Sequence, residues 1–140
     1  MDRLGEPFIE LLTIDSTNIY AMEQVHARLA TPGTAYFAHE QQKGKGQRSK
    51  QWQSYPGQNL ILSVVIRPPH TDPGINFPLS AASALACHDF FKGYAGDETA
   101  IKWPNDLYWR DRKAGGILIE NVVRGGIWEF AIVGMGININ

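Results

Sequence analysis

The apolar residues of this chain are grouped in short runs, and glycine, proline or a polar cluster closes nearly every one. That grouping restricts it to a fold of short strands with few helices. Phe8–Ile14 is apolar apart from Glu10 and predicts a strand. Thr34–Ala38 predicts another, after the break at Thr31-Pro32-Gly33. Asn59–Ile66 is an almost continuous apolar run, as expected of a strand buried on both faces, and Pro68 and Pro69 end it. Short strands are expected at Ala100–Lys102 and Leu107–Trp109. Gly116–Val123 and Ile127–Ile137 read as a hairpin about Arg124-Gly125-Gly126. Helical spacing occurs twice. Ile19, Met22, Val25 and Leu29 make one face of a helix predicted over Asn18–Leu29, with capping oxygens from Asp15, Ser16 and Thr17. Pro78–Phe91 is alanine-rich and apolar nearly all round, which predicts a buried helix. Lys43–Gln51 has no apolar residue and reads as a loop. The expected class is α+β, a mainly antiparallel mixed sheet flanked by helices.

With 140 residues, 44% of them hydrophobic, the chain suits one domain that builds its core without disulfides or metal. A net charge of -1 argues against an electrostatically driven nucleic-acid binder. The single cysteine, Cys87, excludes an internal disulfide framework and a cysteine-rich zinc site. No apolar stretch reaches the roughly 18 residues that span a bilayer, so a cytoplasmic protein is expected. The last strand runs through Gly134-Met135-Gly136-Ile137-Asn138-Ile139-Asn140, and we expect further sequence to follow it. Glycines of this kind let a backbone approach a ligand or turn sharply. Ile127–Ile137, taken as an edge strand, would serve to pair with a partner chain, for instance in a homodimer, or with another domain.

Four polar patches stand out. Lys43-Gly44-Lys45-Gly46-Gln47-Arg48-Ser49-Lys50-Gln51-Trp52 holds four positive charges, leaving nine basic against fourteen acidic residues elsewhere. Such concentration suits an anion site in which Gly44 and Gly46 free the backbone N–H groups to wrap a phosphate or carboxylate; a solvated basic loop is the other reading. It is neither a Walker loop nor a dinucleotide fingerprint. In Lys102-Trp103-Pro104-Asn105-Asp106, Asn and Asp can orient polar ligand groups or a hydrated metal ion. A Pro-Asn-Asp turn with Trp103 in the core accounts for it equally. Lys113, before Ala114-Gly115-Gly116 and an apolar strand, could sit half-buried as a fixed cation, or belong to a solvated turn from Arg110. Asp15-Ser16-Thr17-Asn18 with Gln41 either caps a helix or surrounds a planar polar ligand head.

The four histidines, His26, His39, His70 and His88, lack metal-ligand spacing. Cys87 lies in an apolar helix and reads as core. Ser63 and Ser80 lack a nucleophile-elbow pattern.

Taken in order, Ser16-Thr17-Asn18, Gln41, Gly44-Lys45-Gly46-Gln47-Arg48 with Trp52, Lys102-Trp103-Pro104-Asn105-Asp106, Lys113 with Ala114–Glu120, and Gly134–Asn138 closely resemble the catalytic domain of biotin protein ligases over about residues 10 to 140. The resemblance implies the biotin/lipoate ligase fold, akin to class II aminoacyl-tRNA synthetases. It also implies a two-step reaction. Biotin and MgATP give biotinyl-5′-adenylate and pyrophosphate, and the acyl group passes to a lysine of a biotin carboxyl carrier domain. By the same resemblance, Ser16, Thr17, Asn18 and Gln41 hold the biotin ring. Gly44, Lys45, Gly46, Gln47 and Arg48 fold over biotin and adenylate, and Trp52 closes the site. Lys102, Asn105 and Asn138 serve the nucleotide. Asp106 serves the second step and reaches Mg2+ through water, and Lys113 with Gly115 meets the biotin carboxyl. Lys45, Arg48, Asp106 and Lys113 carry the chemistry by charge and position, since adenylation needs no protein nucleophile.

The chain departs from the family pattern at Lys45, Gln47 and Ser49, where the family has arginines and a glycine. A lysine loses bidentate geometry and a glutamine has no charge, so weaker adenylate retention is expected. No DNA-binding domain is expected, and the catalytic domain is expected to be cut short at its C-terminus. The rival readings are a lipoate-protein ligase or octanoyltransferase, whose Arg-Arg-x-Ser-Gly-Gly-Gly segment this sequence lacks, and a non-catalytic biotin-binding module.

Overall fold

The computed structural model describes residues 2–139, with the side chain of Ser49 left out. Nine strands and two helices follow one another along these residues: β1 (Phe8–Ile14), α1 (Thr17–His26), β2 (Ala35–Gln41), β3 (Gly44–Lys45), β4 (Gln51–Trp52), β5 (Asn59–Ile66), α2 (Phe77–Ala95), β6 (Thr99–Lys102), β7 (Asp106–Trp109), β8 (Arg112–Arg124) and β9 (Ile127–Asn138). Seven strands form one sheet in the order β1-β2-β5-β9-β8-β7-β6, while β3 and β4 make a separate ribbon. Only the β1–β2 pair is parallel. The mixed, mainly antiparallel sheet is therefore present as expected.

The helices cover opposite faces. Ile132 of β9 packs with Ala21 and Val25 of α1, together with Tyr36, Val65 and Val122. Its neighbour Val133 packs with Ala84 and Cys87 of α2, together with Leu107, Ile117 and Ile137. Adjacent strand residues point to opposite faces, so one central strand feeds both cores. Cross-strand register then places residues in lateral rows. On the α1 face one row runs Tyr36, Ser63, Gly134, Leu118; the next runs Ala38, Ile61, Gly136, Gly116, Asp106, Lys102.

Four expectations from the sequence are corrected. The first helix ends at His26, where Arg28 takes a left-handed φ of 59°, and Leu29 is 71% exposed. Its buried face is Thr17, Asn18, Ala21 and Val25, because the facing sheet carries small and polar residues that accept a polar helix start. The second helix is longer, Phe77–Ala95, and is not buried. The sheet meets it along one side, so Ala84 and Cys87 turn inward while Leu85, Phe90 and Tyr94 face out. Lys43–Gln51 is not all loop: Gly44 pairs with Trp52 and Lys45 with Gln51, around a 3-10 turn at Gln47–Ser49. Trp52 supplies the apolar anchor that this basic segment lacks. Finally, β9 is an interior strand, paired with β5 and β8; the sheet edges are β1 and β6. It has no free edge for a partner. No described helix is long and apolar enough to cross a membrane.

Candidate active site

The start of α1 supplies the first wall of a cleft. Ser16 has extended backbone and its Oγ accepts from the Ile19 N–H, so it caps the helix. The cap reading and the ligand reading are compatible here, because the bond uses an acceptor lone pair and leaves the Ser16 proton free. Thr17 donates its backbone N–H to Gln41 Oε1 at 2.9 Å, which ties α1 to the end of β2 and leaves the Gln41 amide N–H groups available. Asn18 is buried and fully engaged. Its Nδ2 donates to the Leu118 carbonyl at 3.2 Å and to Glu120 Oε1 at 3.1 Å, while its Oδ1 accepts from Ser63 at 2.5 Å.

Glycines in the sheet make room for these groups. A Cβ at Gly134 would collide with the Asn18 amide, 2.7 Å from its Cγ, and one at Gly136 would sit 2.6 Å from Trp52 Nε1. Such glycines were expected to let the backbone approach a ligand or turn sharply; what approaches Gly134 and Gly136 here is the Asn18 side chain and the Trp52 indole. The ribbon lays Trp52 across Gly116 and Gly136 as a roof. Its Nε1 is buried over Gly136 with no hydrogen-bond partner among the described residues.

Two cations enter from opposite sides. Lys45 of the ribbon lies 3.3 Å from Glu120 Oε2. Lys113 lies 3.2 Å from Asp106 Oδ1, with its Nζ 5.6 Å from the Trp52 ring centroid. Both are half-exposed, so each can exchange its carboxylate partner for a ligand anion at modest cost. The solvated-turn reading of Lys113 is therefore displaced, although Arg110 and Asp111 do form an exposed turn before it. Trp103 is not core either: it is half-exposed and meets the Phe77 ring at a tilt of 50°, ring centroids 5.6 Å apart.

Ser16, Thr17, Asn18, Gln41, Lys45, Gly46, Gln47, Trp52, Asn105, Asp106 and Lys113 together line one cleft of about 190 Å³. Asn105 and Gln47 also border an adjoining hollow of about 360 Å³ that reaches Asn76 and Asn121. Five predicted site residues stand outside the cleft lining. Gly44 is buried inside the ribbon against Gln41. Arg48 is exposed on the turn, at a left-handed φ of 54°. Lys102 lies over the Tyr108 ring. Gly115 packs against Leu107 and Ile137, and Asn138 accepts from Asn59 Nδ2 at 2.6 Å. Lys50 and Gln51, named in the sequence only as part of the basic segment, are also in the lining, and Ser63 and Glu120, given no role there, lie behind it. Ser63 left a faint signal, a lone hydroxyl in an otherwise apolar strand. Among the described residues no group of three or more His, Cys, Asp or Glu could hold a metal ion.

Residues 11–138 match the model of the biotin/lipoate A/B protein ligase family. The chain belongs to that family. It is 36% identical over 129 residues to the bifunctional ligase/repressor BirA of Escherichia coli, covering 92% of this chain and 39% of that protein. It is 33% identical over 132 residues to the biotin–[acetyl-CoA-carboxylase] ligase of Paracoccus denitrificans, covering 92% of this chain and 53% of that one. The biotin protein ligase of Aquifex aeolicus in complex with biotin and ATP superposes with a TM-score of 0.74 at 30% identity, over 95% of this chain and 52% of that one. This family member thus spans about two fifths to one half of the relatives it matches. The likeness in fold agrees with the architecture the sequence implied.

Proposed function

We propose that this protein is an ATP-dependent biotin protein ligase. It joins biotin to ATP as biotinyl-5′-adenylate, releasing pyrophosphate, and then passes the acyl group to a lysine of a biotin carboxyl carrier domain in the cytoplasm. The observation that carries the reading is the convergence of all four polar patches on one cleft, with a neutral hydrogen-bonding end and a cationic end. Ser16 and Gln41 offer donors for a urea carbonyl at the first, while Lys45 and Lys113 offer positive charge at the second. Between them the Trp52 roof and the Ile61 side chain suit an apolar link. A molecule with a cyclic urea, an aliphatic chain and a carboxylate matches that sequence of surfaces.

In the first step a carboxylate oxygen attacks the α-phosphorus and the bond to pyrophosphate breaks. Both reactants are anions, so holding them in line and neutralising them is the main task. Lys113 would meet the carboxylate, Lys45 the phosphate, and Asn105 at the mouth of the adjoining hollow the nucleotide, with Gln47, Arg48, Lys102 and Asn138 further out. Mg2+ fits only as an ion carried in on the triphosphate, with Asp106 reaching it through water; it would neutralise phosphate charge. In the second step the acceptor amine attacks the acyl carbon and AMP leaves. Asp106, freed from Lys113, would orient or deprotonate that amine.

The test is biotin-dependent pyrophosphate release from MgATP, with lipoate in a parallel reaction. Release with biotin and none with lipoate is expected. Release with lipoate alone would make the protein a lipoate ligase. Biotin binding by calorimetry without release would make it a binding module.

A further inference from the structure

Ser63 belongs to none of the motifs, yet it lies under the site at the middle of β5, with 0% exposure. Its Oγ is 2.7 Å from Thr17 Oγ1 and 2.5 Å from Asn18 Oδ1. A hydroxyl has a single proton, so the direction of each bond follows from neighbours that can play only one role. The Leu118 carbonyl can only accept. The Glu120 carboxylate takes a bond on each oxygen, from Asn18 and from Lys45, so it too accepts. The Asn18 amide atom facing both must be Nδ2, and the other is Oδ1, an acceptor. Ser63 therefore donates to Asn18. Its oxygen can then only accept from Thr17, which gives up its own proton. The other acceptor within reach, Gln41 Oε1, is 3.5 Å away and already holds the Thr17 N–H. A contact of 2.7 Å prevails over one of 3.5 Å.

We infer that Ser63 is a specificity-determining residue: by accepting the proton of Thr17 it makes that threonine an obligate acceptor toward the cleft. The cleft at this point takes an N–H donor and rejects a ligand acceptor. This inference rests on the biotin reading, in which a ureido ring N–H faces Thr17. The polarity is anchored from the far side of the sheet row, through Asn18, by Glu120 and Leu118. Ser63 touches no ligand; it acts through Thr17.

The experiment is calorimetric titration of the protein and of Ser63→Ala and Ser63→Cys with biotin and with the two cyclic carbamates in which one ring N–H is replaced by oxygen. The protein should reject one carbamate by on the order of 10⁴-fold relative to biotin, because two acceptors would face each other. In Ser63→Ala the Thr17 proton is free to turn outward, and that carbamate should bind within about tenfold of biotin. Ser63→Cys keeps the volume with a weak acceptor and should give an intermediate ratio; it decides the matter if thermal melting shows Ser63→Ala to be unfolded. A purely structural serine would weaken biotin and carbamate alike and leave their ratio unmoved, which would overturn the inference. So would a parent protein that binds both carbamates as well as biotin. Failure of the parent to bind biotin at all would refute the biotin reading itself, and the inference with it.

Discussion

Replacing Gly134 with alanine tests the packing of the site most directly. The added methyl would overlap the Asn18 amide, 2.7 Å from Cγ and 2.8 Å from Nδ2. An amide at the end of a loose side chain would swing aside, but this one is buried and held by Ser63, Leu118 and Glu120. If Asn18 moves, two neutral hydrogen bonds at about 1 kcal/mol each and one to a carboxylate at about 2 kcal/mol are lost. If instead the strand moves, overpacking costs about 1–3 kcal/mol. The expected destabilisation is about 3 kcal/mol, equivalent to a fall in Tm on the order of 10 °C for a chain of this size. Gly93 in α2 is the control, since a Cβ there meets nothing within 4 Å. Relief of glycine's helix penalty should make Gly93→Ala more stable by about 0.5–1 kcal/mol. Thermal unfolding followed by circular dichroism reads both. If Gly134→Ala melted within about 3 °C of the parent, the account of Asn18 as a pinned hub would be wrong.

Other consequences can be checked in parallel. Lys113→Met should lower the rate of biotin-dependent pyrophosphate release by about 10²–10³-fold, as loss of one charge-stabilising group does, with biotin binding by calorimetry affected much less. Gln47→Arg adds the charge that the family loop carries, and should slow escape of the adenylate about tenfold in a release assay, the scale of one added charge contact. Asp106→Asn should slow transfer from preformed adenylate to the acceptor lysine; transfer at the parent rate would remove Asp106 from that role. Burial pushes the Cys87 thiol from 9.0 up to about 11. Its folded pKa lies above the unfolded one, so its stabilisation is complete below pH 9 and disappears as pH rises through about 11. Stability between those values should fall by about 2 kcal/mol more in the parent than in Cys87→Ala, measured by urea unfolding.

Local patterns were readable where a residue's neighbours in sequence decide its state. Asn59–Ile66 and the hairpin about Arg124-Gly125-Gly126 form as their periodicity predicts, because alternation and turn chemistry act over a few residues. Eleven of the residues assigned to the site from the motifs also line the cleft. The failures share one cause. Phe90 and Tyr94 look like core until the sheet meets α2 along one side only, and Ile127–Asn138 looks like an edge until β5 arrives from some seventy residues upstream. Lys45 and Lys113 were recognisable as cations, but not as cations poised against Glu120 and Asp106 on either side of Trp52. Residue types, their order and the strand-rich composition were thus determined by the chain alone, since propensity and spacing are local. Which of those residues face each other, and which way the protons of Ser63 and Thr17 point, was decided only when α1, β5, β8 and β9 came together. Hydrogen-bond direction depends on every partner at once, and those partners are up to 102 residues apart.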